Sequence, residues 1–367
     1  MRSLRALLRA LLVLAVVASP ALAGGQLVYV ASDVVQDPAL AARLATYGGE
    51  DAQRFVIRLT DEAQVEGVDW CLAAESDAVD DVAWTRRLRT ADVLVLQGGR
   101  FMEWYETVYP PGRRTRLARA LQDFVQTSKP IVAYGGACAF LSGGVSVPIE
   151  ELRKTERNPR RTDSFRARVA LGVGPRAMFD ADAWSDGSPL RLVRALHSTH
   201  LDHGFYFLGD VALELQRDPP QLRVLGPGEV LAFDLGRARR QRTGVDHARL
   251  ARLVEGDVWG LSSDRVELNE ARERLPKPTV GADEVQGPEL APTGAALAAW
   301  LAKHAAAPTR SSQRRLAADA ADRSIPSGAA VRWSLSWDSG ASGWKPISPA
   351  TRDTWVGIPI TCSWGPY

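Results

Sequence analysis

The chain has 367 residues, and its 45 Lys and Arg nearly balance its 43 Asp and Glu, for a formal charge of +2. Residues 1–23 hold three arginines and no acid, so without them the formal charge is −1. Near-neutrality argues against nucleic acid as the main partner, and a chain of this length can bury a large core without disulfides.

In chain order, the first element is a removable export signal. Arg2, Arg5 and Arg9 form a basic head, Ala10 to Ala18 an apolar core, and Ala21-Leu22-Ala23 a small-x-small cleavage site before Gly24. That apolar core is far shorter than the ~20 residues a membrane span needs. An exported (periplasmic or extracellular) protein without a stable membrane span is expected. Of the three cysteines, Cys71, Cys138 and Cys362, Cys71 and Cys362 could bridge, leaving Cys138 unpaired.

Next, Leu27-Val28-Tyr29-Val30-Ala31 reads as a strand, with Ser32-Asp33 as a helix-cap pair. A helix over Ala39 to Ala45 closes at Gly48-Gly49. A strand at Phe55 to Leu59 and a helix from Val79 to Leu88 follow. Val93-Leu94-Val95-Leu96 is an apolar, β-branched run of the kind buried on both faces of a parallel sheet, and it ends at Gln97-Gly98-Gly99. Leu117, Leu121 and Phe124 recur at helical spacing before Pro130 opens the strand Ile131-Val132-Ala133-Tyr134. Strands alternating with helices predict a parallel sheet covered on both faces, with ligands at the carboxyl ends of its strands.

Directly after Tyr134 comes Gly135-Gly136-Ala137-Cys138-Ala139-Phe140. A strand running into Gly-x-Cys-Ala has the form of a nucleophile elbow, where a tight strand-to-helix turn raises the nucleophile toward backbone N–H donors. On that reading Cys138 is the nucleophile, and the N–H groups of Gly99 and Ala139 are the oxyanion donors. The competing reading is a cysteine packed inside the start of a helix.

Farther on, Glu150 to Arg168 is arginine-rich, which fits a solvated helix or loop better than an anion site. Pro189 to Leu196 is expected to be helical, and Val211 to Leu215 and Val230 to Leu235 to be strands, with Gly226-Pro227-Gly228 turning between them. A shift to Pro, Ala, Ser and Arg marks a linker over 276–329, with a helix at Ala295 to His304. The tail, 330–367, holds five tryptophans and an alternating Trp333-Ser334-Leu335-Ser336-Trp337, suggesting a β hairpin or meander packed onto the main domain. The expected domain itself is 24–275.

Over roughly Leu27 to Val266 the order of motifs resembles the class I glutamine amidotransferase-like superfamily, and within it the cyanophycinase-like serine peptidases. Ala91 to Gly99 is similar to the family's strand and double-glycine loop, and Gly136-Ala137-Cys138-Ala139 to its elbow. Leu208 to Leu213 with Val224 to Val230, and Leu253 to Leu261, resemble its later strands. The resemblance implies a three-layer α/β sandwich around a mainly parallel sheet (flavodoxin-like), no cofactor, and a peptide or amide as substrate. Departures accompany it. Arg100-Phe101 stand where the family has Asp-Gln, Cys138 where it has serine, and Asp180-Ala181-Asp182-Ala183 where it has its histidine.

A replacement base lies in Leu196-His197-Ser198-Thr199-His200-Leu201-Asp202-His203. His200-Leu201-Asp202 is similar to the His-x-Glu of glutamine amidotransferases, which would make Cys138, His200 and Asp202 nucleophile, base and orienter. Surface or packing histidines are the plainer alternative, and the spacing matches no standard metal motif. Two functions follow: an exported hydrolase of peptide or amide bonds, with Arg100 favouring acidic substrates, or a lapsed homologue that uses its cleft as a binding surface.

Overall fold

The computed structural model describes residues 26–274 apart from 63, 74–76, 144, 147–166, 170, 181–189, 218–219, 242–243, 262–264 and 268–271. Beyond these it describes 279–282, 309–311, 329–335, 342–346 and 354–366.

The first half alternates strands and helices. In order they are β1 (Leu27–Val30), α1 (Pro38–Ala45), β2 (Arg54–Leu59), β3 (Trp70–Leu72), α2 (Val82–Thr90) and β4 (Val93–Gly98). Then come α3 (Phe101–Val108), α4 (Arg116–Val125), β5 (Ile131–Tyr134) and α5 (Gly136–Leu141). Local chemistry sets the helix starts. Asp37 caps α1 by accepting from the Leu40 N–H at 2.6 Å, and Asp81 caps α2 through the N–H groups of Ala83 and Trp84. Thr115 caps α4 by accepting from Ala118 at 3.0 Å, while its hydroxyl donates to the Val108 carbonyl at 2.7 Å. Leu117, Leu121 and Phe124 form the buried stripe of α4, as their spacing predicts. Helix α3 and strand β3 had no counterpart in the sequence reading.

The second half is mostly β. After β6 (Val145–Ser146), β7 (Arg168–Val169), β8 (Ala177–Asp180) and α6 (Leu190–Thr199) come β9 (His203–Leu208), β10 (Ala212–Arg217), β11 (Pro220–Leu225) and β12 (Glu229–Asp234). Next are β13 (Arg239–Gln241), β14 (Gly244–Val254), β15 (Val258–Gly260), β16 (Arg265–Glu267), β17 (Arg272–Arg274) and β18 (Thr279–Ala282). The last are β19 (Thr309–Ser311), β20 (Ala329–Leu335), β21 (Ser342–Pro346) and β22 (Thr354–Pro366).

Two nine-stranded sheets organise these elements. The first runs β16-β15-β11-β10-β1-β5-β4-β2-β3; its β1-β5-β4-β2-β3 side is parallel, and the rest is antiparallel. Helices and a second sheet complete a layered α/β fold. The second sheet runs β17-β21-β22-β14-β12-β9-β8, and β20 pairs with β22. Strand β22 pairs along β14, and β20 along β22, so the Trp-rich tail extends this sheet. Segments 279–282 and 309–311 pair as a parallel ribbon within the expected linker, whose anticipated helix lies outside the described residues.

One expectation is refined and another corrected. A further strand, β11, stands between β10 and the turn at Gly226-Pro227-Gly228: β11 pairs with β10, and the turn then carries the chain across to β12 in the second sheet. Both Gly226 and Gly228 sit where a Cβ would strike the Asp210 backbone, at 2.8 Å and 2.9 Å, so the crossover needs bare residues there. Cys71 is a free thiol, which leaves no bridge to Cys362.

Alternation along the parallel strands divides the interior. Leu27, Tyr29, Leu94, Leu96, Ile131 and Ala133 face a large core shared with α2–α5 and the second sheet. Tyr29 stacks on Phe179 with centroids 4.0 Å apart, and Phe179 on Phe205, tying β1 to β8 and β9. Val28, Val30, Val93, Val95 and Val132 face a smaller cluster under α1, closed by Leu40, Leu44 and Tyr47. Glu214, buried on β10, accepts from the Tyr47 hydroxyl at 2.8 Å and anchors that corner.

Candidate functional site

The carboxyl ends of β1, β4 and β5 meet at one edge of the first sheet, and two glycine-rich turns come together there. Gly135 follows β5 at φ +52°, ψ −126°, a region that side chains other than hydrogen rarely enter, and it caps α5. Gly136 then packs on the other loop: a Cβ there would lie 2.4 Å from the Gly99 carbonyl oxygen and 2.9 Å from the Arg100 Cα. This is the strained strand-to-helix turn that the sequence leads one to expect, but its apex lies three residues before the cysteine.

Cys138 therefore points elsewhere. It is fully buried, and its Sγ faces the carbonyl oxygens of Ala133 at 3.2 Å and Val30 at 3.3 Å. Carbonyl oxygens accept from a thiol and repel a thiolate, so this setting suits an S–H donor inside the large core. The expected nucleophile at the apex is thus a glycine, which brings no functional group. The oxyanion assignment moves with it. An elbow uses the N–H of the residue after its apex, which is Gly136, whereas Ala139 is the fourth residue of α5. Gly99 presents its carbonyl oxygen toward Gly136. Arg100 is exposed and caps α3, its N–H donating to Glu103 Oε2 at 2.7 Å, and its backbone forms one rim of the turn.

The structure brings His200 and Asp202 together, but around Arg240 of β13. Asp202 Oδ1 accepts from Arg240 Nη2 at 2.8 Å, and His200 Nδ1 lies 3.4 Å from Arg240 Nη1. This group stands between α6 and β9 at the margin of the second sheet, whereas Cys138 lies on α5 and faces β1 and β5. His200 has φ +56°, which turns the chain out of α6 toward β9. His197 donates from Nε2 to the Gln241 carbonyl at 2.7 Å, and burial holds its pKa below the ordinary imidazole range. His203 lies with Nε2 3.9 Å from Asp234 Oδ1. Among the described residues no group of three or more His, Cys, Asp or Glu side chains could hold a metal ion. No described helix is long and apolar enough to cross a membrane.

Sequence reasoning missed Asp33, which it took for a helix cap. Asp37 performs that task, while Asp33 Oδ1 accepts the Gly98 N–H at 2.8 Å and its carboxylate lies 3.4–3.5 Å from where a Gly135 Cβ would be. The exposed Asp33 thus borders the empty apex. The available signal was position: Asp33 and Gly135 follow paired strands, with Val30 registered on Tyr134.

No family model matches the chain, and no curated protein matches it. A solved structure described as the crystal structure of a peptidase from an acI-B1 Actinobacterium is similar to it. The identity is 13%, the TM-score 0.45, and the likeness covers 66% of this chain and 98% of that one. At that depth the likeness bears on neither activity nor the roles of residues.

Proposed function

We propose that this chain is an exported binding protein on a hydrolase-like α/β fold, in which the cleft at the sheet edge is kept and covalent catalysis is not. One observation carries the reading: the strained elbow is present, with glycine 135 at its apex. A nucleophile must stand on that turn to meet substrate and oxyanion donors together. Cys138, the nearest candidate, is turned into the core beneath it. The resemblance to cyanophycinase-like peptidases supports an ancestry in hydrolysis, and residues 1–23 support export.

Alkylation of the native protein with iodoacetamide, read by mass spectrometry, tests this. Cys71, a half-buried thiol on an outer strand of the first sheet, should be labelled, and Cys138 only after denaturation. Labelling of native Cys138 at pH 7 that is lost on His200→Ala would instead restore the Cys138–His200–Asp202 hydrolase.

A further inference from the structure

On the α1 side of the first sheet, one transverse row at the carboxyl ends of the strands is polar on β2 and β4, with Arg58 and Gln97, and apolar on β1, with Val30. Register pairs Cys71 with Arg58 and Arg58 with Gln97, and Tyr134 comes one step after the registered pair Leu96 and Ala133. Residues in register on neighbouring strands share a face. The row beneath is valine throughout, at positions 56, 95, 132 and 28. On β2 and β4 the pattern therefore changes from apolar to polar at the level where an open α/β sheet binds ligands.

Arg58 is the unusual member. Its side chain is half-buried, and its Nε is fully buried without a hydrogen-bond partner among the described residues. Arg223 also has a buried, unpaired Nε, but its register partner on β10 is Glu214. The register partners of Arg58 are a thiol and a carboxamide. A guanidinium held against a sheet with no ion pair to an acid among the described residues is arranged for an anion that comes from outside. Gly98 packs closely against the root of the Arg58 side chain, where only a glycine fits. It has φ +68°, and a Cβ there would lie 2.5 Å from the Leu59 carbonyl oxygen and 3.2 Å from Arg58 Cγ. The Gly98 N–H meanwhile holds Asp33 on the other side.

We infer that Arg58 and Gln97 form a carboxylate-binding site, resting on the reading of this cleft as a binding surface. The planar guanidinium matches both oxygens of a carboxylate, and the Gln97 amide supplies a further donor. Asp33, across Gly98, repels an anion and keeps the carboxylate at the β2 side. The carboxylate belongs to a small free acid or to the C-terminus of a peptide.

Cys71, one strand from Arg58, reports occupancy. On the full chain, its rate of alkylation by iodoacetamide is followed with succinate, N-acetyl-L-alanine, N-acetyl-L-alanine amide or inorganic phosphate added. Protection by succinate alone identifies a free acid, by N-acetyl-L-alanine alone a chain terminus, and either supports the site. The amide, lacking the carboxylate, should not protect. Arg58→Gln should weaken the protecting ligand about tenfold or more, and Arg58→Lys, which keeps charge but not the fork, by less. Circular dichroism checks that each variant is folded, and the lysine variant decides if the glutamine variant is not. Absence of protection by both carboxylates, equal protection by the amide or by phosphate, or unchanged protection in the folded variants would overturn the site. Labelling of Cys138 in the same digest reads the non-catalytic assignment separately: an inert Cys138 with an unprotected Cys71 removes only the carboxylate site.

Discussion

The two faces of the first sheet are built to opposite ends. One is sealed by α2–α5 and the second sheet, and Phe124, Phe140, Trp104 and Cys138 lie within it at 1% exposure or less. The other is covered chiefly by α1, and beyond that helix Arg54, Val56, Arg58 and Gln97 remain half-buried. Cys138, three residues from the elbow's apex, is on the sealed face. The groups that can meet a ligand, Asp33 and Arg58, are at the edge and on the open one. Proximity in sequence to a glycine turn therefore says little about access; the face decides it.

The comparison breaks most visibly in the sealed core. Phe140 is fully buried and stacks on Trp104 with centroids 5.6 Å apart. Phe140→Ala should cost about 3–5 kcal/mol in urea unfolding, through lost burial and the cavity left behind. Val56→Ala, on the half-covered face, should cost less, about 1–2 kcal/mol, since that side chain is smaller and keeps partial contact with water. Equal losses would mean that the two faces are equally packed.

The elbow glycines come next. At Gly136 an added Cβ meets backbone on the opposite loop at 2.4 Å, and backbone cannot rotate aside as a side chain can. At Gly135 the obstacle is conformation: the nearest atoms are those of the exposed Asp33 at 3.4 Å, and the positive φ alone carries a cost of about 1–3 kcal/mol. Gly136→Ala should therefore lower the unfolding midpoint more than Gly135→Ala. Gly135→Ser should remain folded and place a hydroxyl at the apex.

How far this was legible follows from the same division. The strands of the first half could be read because burial on both faces leaves continuous runs such as Val93 to Leu96. The strand β9, His203-Gly-Phe-Tyr-Phe-Leu, was not legible because it shows no polar–apolar alternation and its run starts within a histidine cluster. The elbow was legible as a motif and misplaced by three residues. A Gly-Gly pair fits the apex at either glycine, and only the dihedral at Gly135 identifies which one turns the chain. Arg58 was invisible for another reason: its importance lies in the register of β2 with β3 and β4, a non-local property that no window of sequence contains.

The α1 corner gives a pH signature of intermediate size. Burial, first, and the neighbouring Glu214 carboxylate push the Tyr47 hydroxyl well above the ordinary tyrosine range. In the unfolded chain Tyr47 loses its proton near pH 10, while the folded chain keeps it. Above that pH the unfolded state binds fewer protons than the native one, so stability falls as pH rises, by up to about 1.4 kcal/mol per unit. Tyr109 and Tyr134 are raised by burial too and add slope in the same direction. Chemical unfolding between pH 9 and 11 should show the decline, and Tyr47→Phe should make it shallower; an unchanged slope would remove Tyr47 from the account.

The smallest effect bears on the histidine that the sequence nominated as a base. His200 takes φ +56° in the turn between α6 and β9, a conformation that glycine adopts without the Cβ penalty. Its ring contributes one long contact, 3.4 Å to Arg240, whose other nitrogen is already engaged by Asp202 at 2.8 Å and by the Leu201 carbonyl, also at 2.8 Å. Relief of the backbone and loss of that contact oppose each other, and the long contact is the weaker of the two. His200→Gly should therefore leave stability unchanged or raise it by up to about 1 kcal/mol. A loss of more than about 1 kcal/mol would instead show that the imidazole holds Arg240 in place. In that case the second sheet's margin, like the sealed face of the first, would be fixed by side-chain packing rather than by the course of its backbone.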